Sequence, residues 1–162
     1  MYLSVRKYAR PMLLLCRNAH TQYLTTSENN GTREITLCHE KTKSLLSTVC
    51  ILGNSLSLDM MNHLIEAITT KRDETSLRAI VLSARGNVFS AGHNLKELVS
   101  YLCCEYHKQI FKKATELMTS IIQSPVPVIA KVNGFAAAAG CQLVATCDML
   151  VCSDVSKFST PG

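Results

Sequence analysis

The chain has 162 residues, 47% of them hydrophobic and 18% charged, which describes one domain with one core and excludes a disordered polyelectrolyte. Its net charge of +5 owes most to Arg6, Lys7, Arg10 and Arg17, all ahead of the first acid, Glu28. The remainder is close to neutral, with no basic and aromatic interleaving for a nucleic acid, and no apolar run approaches the ~20 residues that span a bilayer.

Residues 1–27 are rich in Arg, Ser and Thr, lack acids and carry a short apolar patch at residues 12–16. That composition is expected of a mitochondrial transit peptide. A secretory signal fits less well, because Arg17 closes the patch and no small-x-small site follows at once. The folded domain is then expected over 28–162. The eight cysteines form no C-x-x-C pair and have no His at zinc spacing, so reduced thiols and no metal are expected.

Beyond the leader, Arg33 to Cys38 alternates polar and apolar and predicts a strand. Residues 41–53 fit poorly: Val49 to Leu52 reads as either a strand or a loop insertion. Ser57 is a suitable N-cap, with Asp59 placed against the helix dipole. Leu58, Met61, Leu64, Ile65 and Ile68 then line one helical face. Ala79 to Leu82 is wholly apolar, as a buried parallel strand requires. A second amphipathic helix is predicted from Tyr106 to Ile122, striped by Ile110, Ala114, Leu117, Met118 and Ile121. Pro125 and Pro127 end it and lead into a strand over Val128 to Val132. After Asn133-Gly134 the spacing predicts a small-residue helix over Ala139 to Thr146, then a strand at Met149 to Cys152. Strands alternating with helices of crossover length make this an α/β protein with a mostly parallel sheet.

Two loops carry chemistry. In Asn87-Val88-Phe89-Ser90-Ala91-Gly92-His93-Asn94-Leu95-Lys96-Glu97, small residues let a ligand approach the backbone. In Asn133-Gly134-Phe135-Ala136-Ala137-Ala138-Ala139-Gly140-Cys141-Gln142, a strand ends and a helix begins, so unpaired amides face outward. Two such amides aimed at one point would polarise a thioester carbonyl and stabilise an enolate, each donor contributing ~2.7–4 kcal/mol to the transition state. Neither loop is specific alone: an alanine run is more often helix packing, and Gly92 and His93 also read as a turn glycine and an exposed loop residue. No G-x-G phosphate loop and no G-x-S-x-G elbow occurs.

Taken together and in order, the two loops resemble the crotonase (enoyl-CoA hydratase/isomerase) superfamily. The resemblance rests on Phe89 to Lys96, Pro125 to Ala130, Val132-Asn133-Gly134, Gly140 to Leu143, Cys147-Asp148 and Phe158 to Pro161, with Asn54-Ser55-Leu56-Ser57 before the first helix. It covers residues 32–162 apart from 41–53. It implies the crotonase-like spiral of ββα units, ending before the family's C-terminal helices, which would leave the Met149–Cys152 strand and the Gly140 helix without their usual cover. It implies a mitochondrial matrix protein of fatty-acid metabolism and an acyl-CoA ligand or substrate. No other cofactor is implied, and full-length members assemble as trimers or hexamers.

By the same resemblance, the backbone amides of His93 and Ala139 would form the oxyanion hole. His93, Asn94, Leu95 and Lys96 would line the acyl-CoA site, with Asn94 where the family usually has Asp. Lys96 also reads as an ordinary surface lysine. The two catalytic glutamates of the hydratases are absent, Gln142 and Gly162 standing at their positions. Gln can orient a water but cannot exchange its proton near neutral pH, so hydration is expected to be weak or absent. Thioester-enolate chemistry, a non-catalytic acyl-CoA-binding or regulatory subunit, and a non-functional shortened isoform all stay compatible with the sequence.

Overall fold

The computed structural model describes residues 23–38, 53–100 and 104–160. The expected leader up to Gln22, nearly all of the 41–53 stretch, and Gly162 lie outside the described residues.

The chain enters through a hairpin, β1 (Leu24–Asn29) and β2 (Thr32–Leu37), paired from Leu24↔Leu37 to Asn29↔Thr32. Its two-residue turn is Asn30-Gly31, both at positive φ (50° and 79°). That pair favours the right-handed twist of a tight hairpin, and Asn and Gly adopt it most readily. β1 begins at Leu24, so residues 24–27, whose lack of acids resembles the leader, belong to a strand.

From β2 onward the sheet is parallel. β3 (Ala79–Ala84), β5 (Val128–Val132) and β7 (Met149–Cys152) follow in the order β1-β2-β3-β5-β7. A second, three-stranded parallel sheet holds β4 (Val88–Ser90), β6 (Phe135–Ala137) and β8 (Lys157–Ser159). From β3 on, each strand of the first sheet is followed at once by a strand of the second, β3 by β4, β5 by β6 and β7 by β8. Helices return the chain to start the next turn. The result is the expected spiral of ββα units, with three turns among the described residues.

Helix α1 (Leu58–Thr69) starts where the sequence indicates: the Ser57 hydroxyl accepts a hydrogen bond from the Met60 amide at 3.1 Å. Met60, Met61, Leu64 and Ile68 are its buried residues, while Leu58 and Ile65 sit at the margin. They share one core with Ile35 and Leu37 of β2, Ile80 and Leu82 of β3, and Leu117 and Ile121 of α3 (Cys104–Ile122). Burial of each such aliphatic side chain stabilises by ~1.5–3 kcal/mol.

The C-terminal end of α1 is held by a buried cation. Arg33 of β2, 2% exposed, donates from Nη1 to the Ala67 and Thr70 carbonyls, and from Nε to Glu28 of β1 at 2.7 Å. One guanidinium therefore satisfies carbonyls that the helix end leaves unpaired and ties the hairpin to α1. Arg33→Met should lower stability by about 2–3 kcal/mol, since it removes charge-assisted bonds from a dry site. Urea unfolding checks this: the midpoint falls and the slope stays unchanged.

β7 is placed as predicted, but all four of its residues are exposed, Met149 by 58% and Val151 by 54%. Its start is pinned to β5 by Asp148, whose backbone N–H donates to the Val128 carbonyl (2.9 Å) and whose carboxylate accepts from the Val128 amide (2.8 Å). The Asp of the Cys147-Asp148 motif thus registers two strands.

Candidate active site

The two motif loops leave adjacent ends of the second sheet. The first follows β4, the second follows β6, and β4 pairs with β6. Each loop carries one backbone amide whose direction is set by the carbonyl on the same peptide.

In the first loop, Leu56 makes an isolated parallel bridge to His93. The Leu56 amide donates to the Gly92 carbonyl at 2.8 Å, and the Asn94 amide donates to the Leu56 carbonyl at 3.3 Å. A trans peptide points its N–H opposite to its C=O. Since Gly92 turns its carbonyl toward Leu56, the His93 N–H points away from Leu56, and it has no partner among the described residues.

In the second loop, the alanine run is not one helix. Ala136 and Ala137 close β6, Ala138 is the N-cap, and α4 (Ala139–Thr146) starts at the next residue. The Ala138 amide donates to Ser159 of β8 at 2.9 Å, and its carbonyl accepts from the Gln142 amide at 3.0 Å. With that carbonyl turned into the helix, the Ala139 N–H points out from the helix start, also unpartnered among the described residues. Ala138 holds φ 47°, ψ −120°, a conformation that costs a non-glycine residue ~1–3 kcal/mol and is found where a site imposes it.

The loops touch. A Cβ added to Gly92 (φ 88°) would stand 3.0 Å from the Ala137 carbonyl oxygen and 3.2 Å from the Ala139 nitrogen. One added to Gly140 would stand 2.6 Å from the Ser90 carbonyl oxygen. Glycine at both positions is what lets β4 and its loop lie against the start of α4. Ser90 is fully buried, and its hydroxyl accepts from the Gly92 amide at 3.3 Å.

The other candidate residues divide. Asn94 caps α2 (Leu95–Ser100): its Oδ1 accepts from the Lys96 amide at 3.2 Å and its Nδ2 donates to Glu97 at 3.1 Å. Leu95 and Lys96 are exposed, Leu95 by 64%, as a ligand-facing surface requires and as a plain surface also allows. Gln142 lies exposed in the first turns of α4. The sequence reading missed Glu97 as a tie between elements. Its second oxygen accepts from the Leu58 amide at 3.0 Å, so this carboxylate caps α1 while holding Asn94. Asn94 followed three residues later by Glu97 is the spacing of a helix start, and that signal is present in the sequence.

His93 itself is half-buried, with its ring edge-on to Phe111 of α3 at 5.5 Å between centroids. Its Nδ1 is fully enclosed without a hydrogen-bond partner. Burial lowers its proton affinity below the ordinary histidine value, against smaller opposing effects of the Leu56 carbonyl and the Glu97 charge. The ring is neutral at neutral pH.

Two concavities, of about 150 and 360 Å³, lie away from this pair of amides, one beside the β1–β2 turn and one at Asn87, Phe135 and Lys157. The first is lined by the hairpin turn, the buried Arg33 and the loop at Glu74 to Leu77, the second by loop residues and strand ends, and neither includes His93 or Ala139. The amide geometry therefore defines the candidate site.

Family comparison bears on the same loops. The model for enoyl-CoA hydratase/isomerase matches residues 52–162, which contain both loops. The chain belongs to the enoyl-CoA hydratase/isomerase family. Enoyl-CoA hydratase domain-containing protein 3, mitochondrial, of Xenopus laevis is 46% identical over 143 residues, covering 88% of this chain and 45% of that protein. Its Homo sapiens counterpart is 42% identical over 146 residues, covering 90% and 45%. The crystal structure of the human protein superposes with a TM-score of 0.76 at 42% identity, over 87% of this chain and 52% of that one. An enoyl-CoA hydratase from Mycobacterium smegmatis gives 0.73 at 38% identity, over 85% and 50%. The chain spans about half the length of the relatives it matches. The crotonase fold expected from the sequence is the fold observed.

Among thiols, Cys147 stands apart. Its Sγ donates to the Leu143 carbonyl at 3.3 Å, and burial, with the Asp148 charge second, pushes its pKa up to about 12. The unfolded thiol ionises near 9.0 while the folded one keeps its proton. This group's contribution to stability is therefore intact below pH 9.0 and lost as pH rises toward about 12. Tyr23, raised mainly by burial, acts in the same direction. Thermal unfolding at increasing pH above 9.0 should show a falling Tm, with a shallower fall in Cys147→Ala. Iodoacetamide should label the exposed Cys104 and Cys152 well before Cys147.

Proposed function

We propose that this chain is an acyl-CoA-thioester-binding member of its family, with the backbone amides of His93 and Ala139 holding the thioester oxygen. The observation that carries this reading is the pair of outward-facing, unpartnered amides on two loops in contact at Gly92. A carbonyl oxygen is what such a pair accommodates, and negative charge developing on that oxygen strengthens both bonds. His93, Asn94, Leu95 and Lys96 are the stretch along which the acyl-CoA would lie. Lys96 offers an exposed cation for a phosphate, and Leu95 and Val99 offer apolar surface.

The proton-handling half of hydration is missing from this proposal. Gln142 has no ionisable proton, and Gly162 stands at the other glutamate position. General acid and base groups contribute ~10²–10⁴-fold each, so crotonyl-CoA hydration is weak or absent. Enolate chemistry, or binding without turnover, fits better. The acid-free leader and the relatives named mitochondrial support a mitochondrial matrix setting and a role in fatty-acid metabolism.

Thermal unfolding with and without octanoyl-CoA tests the reading. A Tm that rises with ligand concentration supports it, because only binding to the folded state raises Tm. An unchanged Tm at saturating octanoyl-CoA would sink it. Turnover of crotonyl-CoA at a rate that falls when Gln142 is replaced would overturn the binder alternative.

A further inference from the structure

We propose that the His93 imidazole is the proton-transfer group of this site, taking a proton from the carbon next to the thioester carbonyl whose oxygen the same residue's amide holds. The inference rests on the acyl-thioester reading above and gives the site a reaction.

Three observations carry it. His93 supplies one of the two amides, so its side chain branches from the residue that would hold the thioester oxygen. The ring is held in place: Nδ1 is enclosed, the Leu56 carbonyl lies beside the ring, and Phe111 meets it edge-on at 5.5 Å. Gln142, the other candidate at this end of α4, has no ionisable proton.

The step needs one tautomer of the ring. Nδ1 is enclosed and the Leu56 carbonyl is the nearby acceptor that raises the ring's proton affinity. The tautomer that the step uses carries its proton on Nδ1 and its lone pair on Nε2, the nitrogen that is not enclosed. Glu97 on α2 is the charge that acts on the ring; Lys96 on α2 and Lys108 and Lys112 on α3 are exposed. Burial prevails over Glu97, so the ring is a free base at neutral pH.

The step balances without a co-reactant. The Nε2 lone pair takes the α-proton; the C–H electron pair becomes the enolate C=C bond, and the carbonyl π pair moves onto the thioester oxygen. The resulting oxyanion is held by the His93 and Ala139 amides. The imidazolium returns its proton to the α-carbon, giving exchange, or to the γ-carbon of an unsaturated chain, giving isomerisation.

Octanoyl-CoA in D₂O isolates this step, because it has no double bond to hydrate. NMR should show α-hydrogen exchange catalysed by the full chain, reduced about 10²-fold or more in His93→Gln. That variant keeps the backbone amide, so the octanoyl-CoA-induced rise in Tm should persist. In the parent chain the exchange rate should climb as the ring loses its proton below pH 6.5 and be level above it, a profile a merely structural histidine would not produce. Ligand-induced stabilisation with no exchange, or exchange unaltered by His93→Gln, or a profile flat through the acid range, would overturn the proposal and leave binding intact. No stabilisation at all would instead remove the thioester reading beneath it.

Discussion

Replacing Gly140 by alanine should abolish the octanoyl-CoA-induced rise in Tm while lowering Tm itself. The added methyl would stand 2.6 Å from the Ser90 carbonyl oxygen, 2.7 Å from its Cβ and 2.8 Å from its Oγ. None of these is a flexible tip: Ser90 is fully buried and lies in β4, which pairs with β6. The helix must therefore move, and overpacking of this kind costs ~1–3 kcal/mol. The Ala139 amide is one residue from the substitution, so the same movement takes it away from His93. Stability loss alone would mimic this, and Ile35→Val separates the two. Ile35 is fully buried in β2, on the far side of β3, and its truncation costs ~0.5–1.5 kcal/mol. That variant should keep its ligand response. A Gly140→Ala chain that still responds in full would mean that the start of α4 is not part of the site.

The elements legible in the sequence are those long enough to show a period. α1 could be read from its Ser57 cap and apolar stripe, and β3 and β5 from short apolar runs entering a parallel sheet. α4 falls where the small residues after the Asn133-Gly134 turn place it. The whole second sheet was not legible. β4, β6 and β8 have three residues each, too few for an alternation to stand out from a loop. β1 was missed for another reason: most of its side chains are exposed, so no hydrophobic pattern marks it. The Asn30-Gly31 pair between it and β2 was the available signal.

At the site, sequence located both loops because their small residues and order are distinctive. It did not show what makes them meet. Contact between Gly92 and Ala139, and between Gly140 and Ser90, depends on β4 and β6 being neighbours, a pairing over 40 residues of sequence apart that no local pattern encodes. The orphaned Nδ1 of His93 and the positive φ of Ala138 are likewise products of packing.

Gln142→Glu should raise crotonyl-CoA hydration by about 10²-fold. The side chain at 142 sits in the first turns of α4, close to the amide of Ala139, and is exposed. A carboxylate there gains the lone pair that Gln lacks and can take a proton from a water approaching a bound enoyl thioester. The gain belongs at the low end of the usual range for two reasons. The positive end of α4 favours the ionised carboxylate, which lowers its pKa and weakens it as a base, and position 162 still has no acid to deliver the second proton. With its pKa lowered, the carboxylate should keep the new activity through the ordinary carboxylate range and lose it only as pH falls to the acid side of that range. Loss of the enoyl absorbance of crotonyl-CoA measures the rate in both chains. A variant that binds octanoyl-CoA as the parent does, yet hydrates no faster, would mean that residue 142 does not reach the bound chain. Carbonyl polarisation and proton transfer would then reside wholly in the His93 loop and the start of α4.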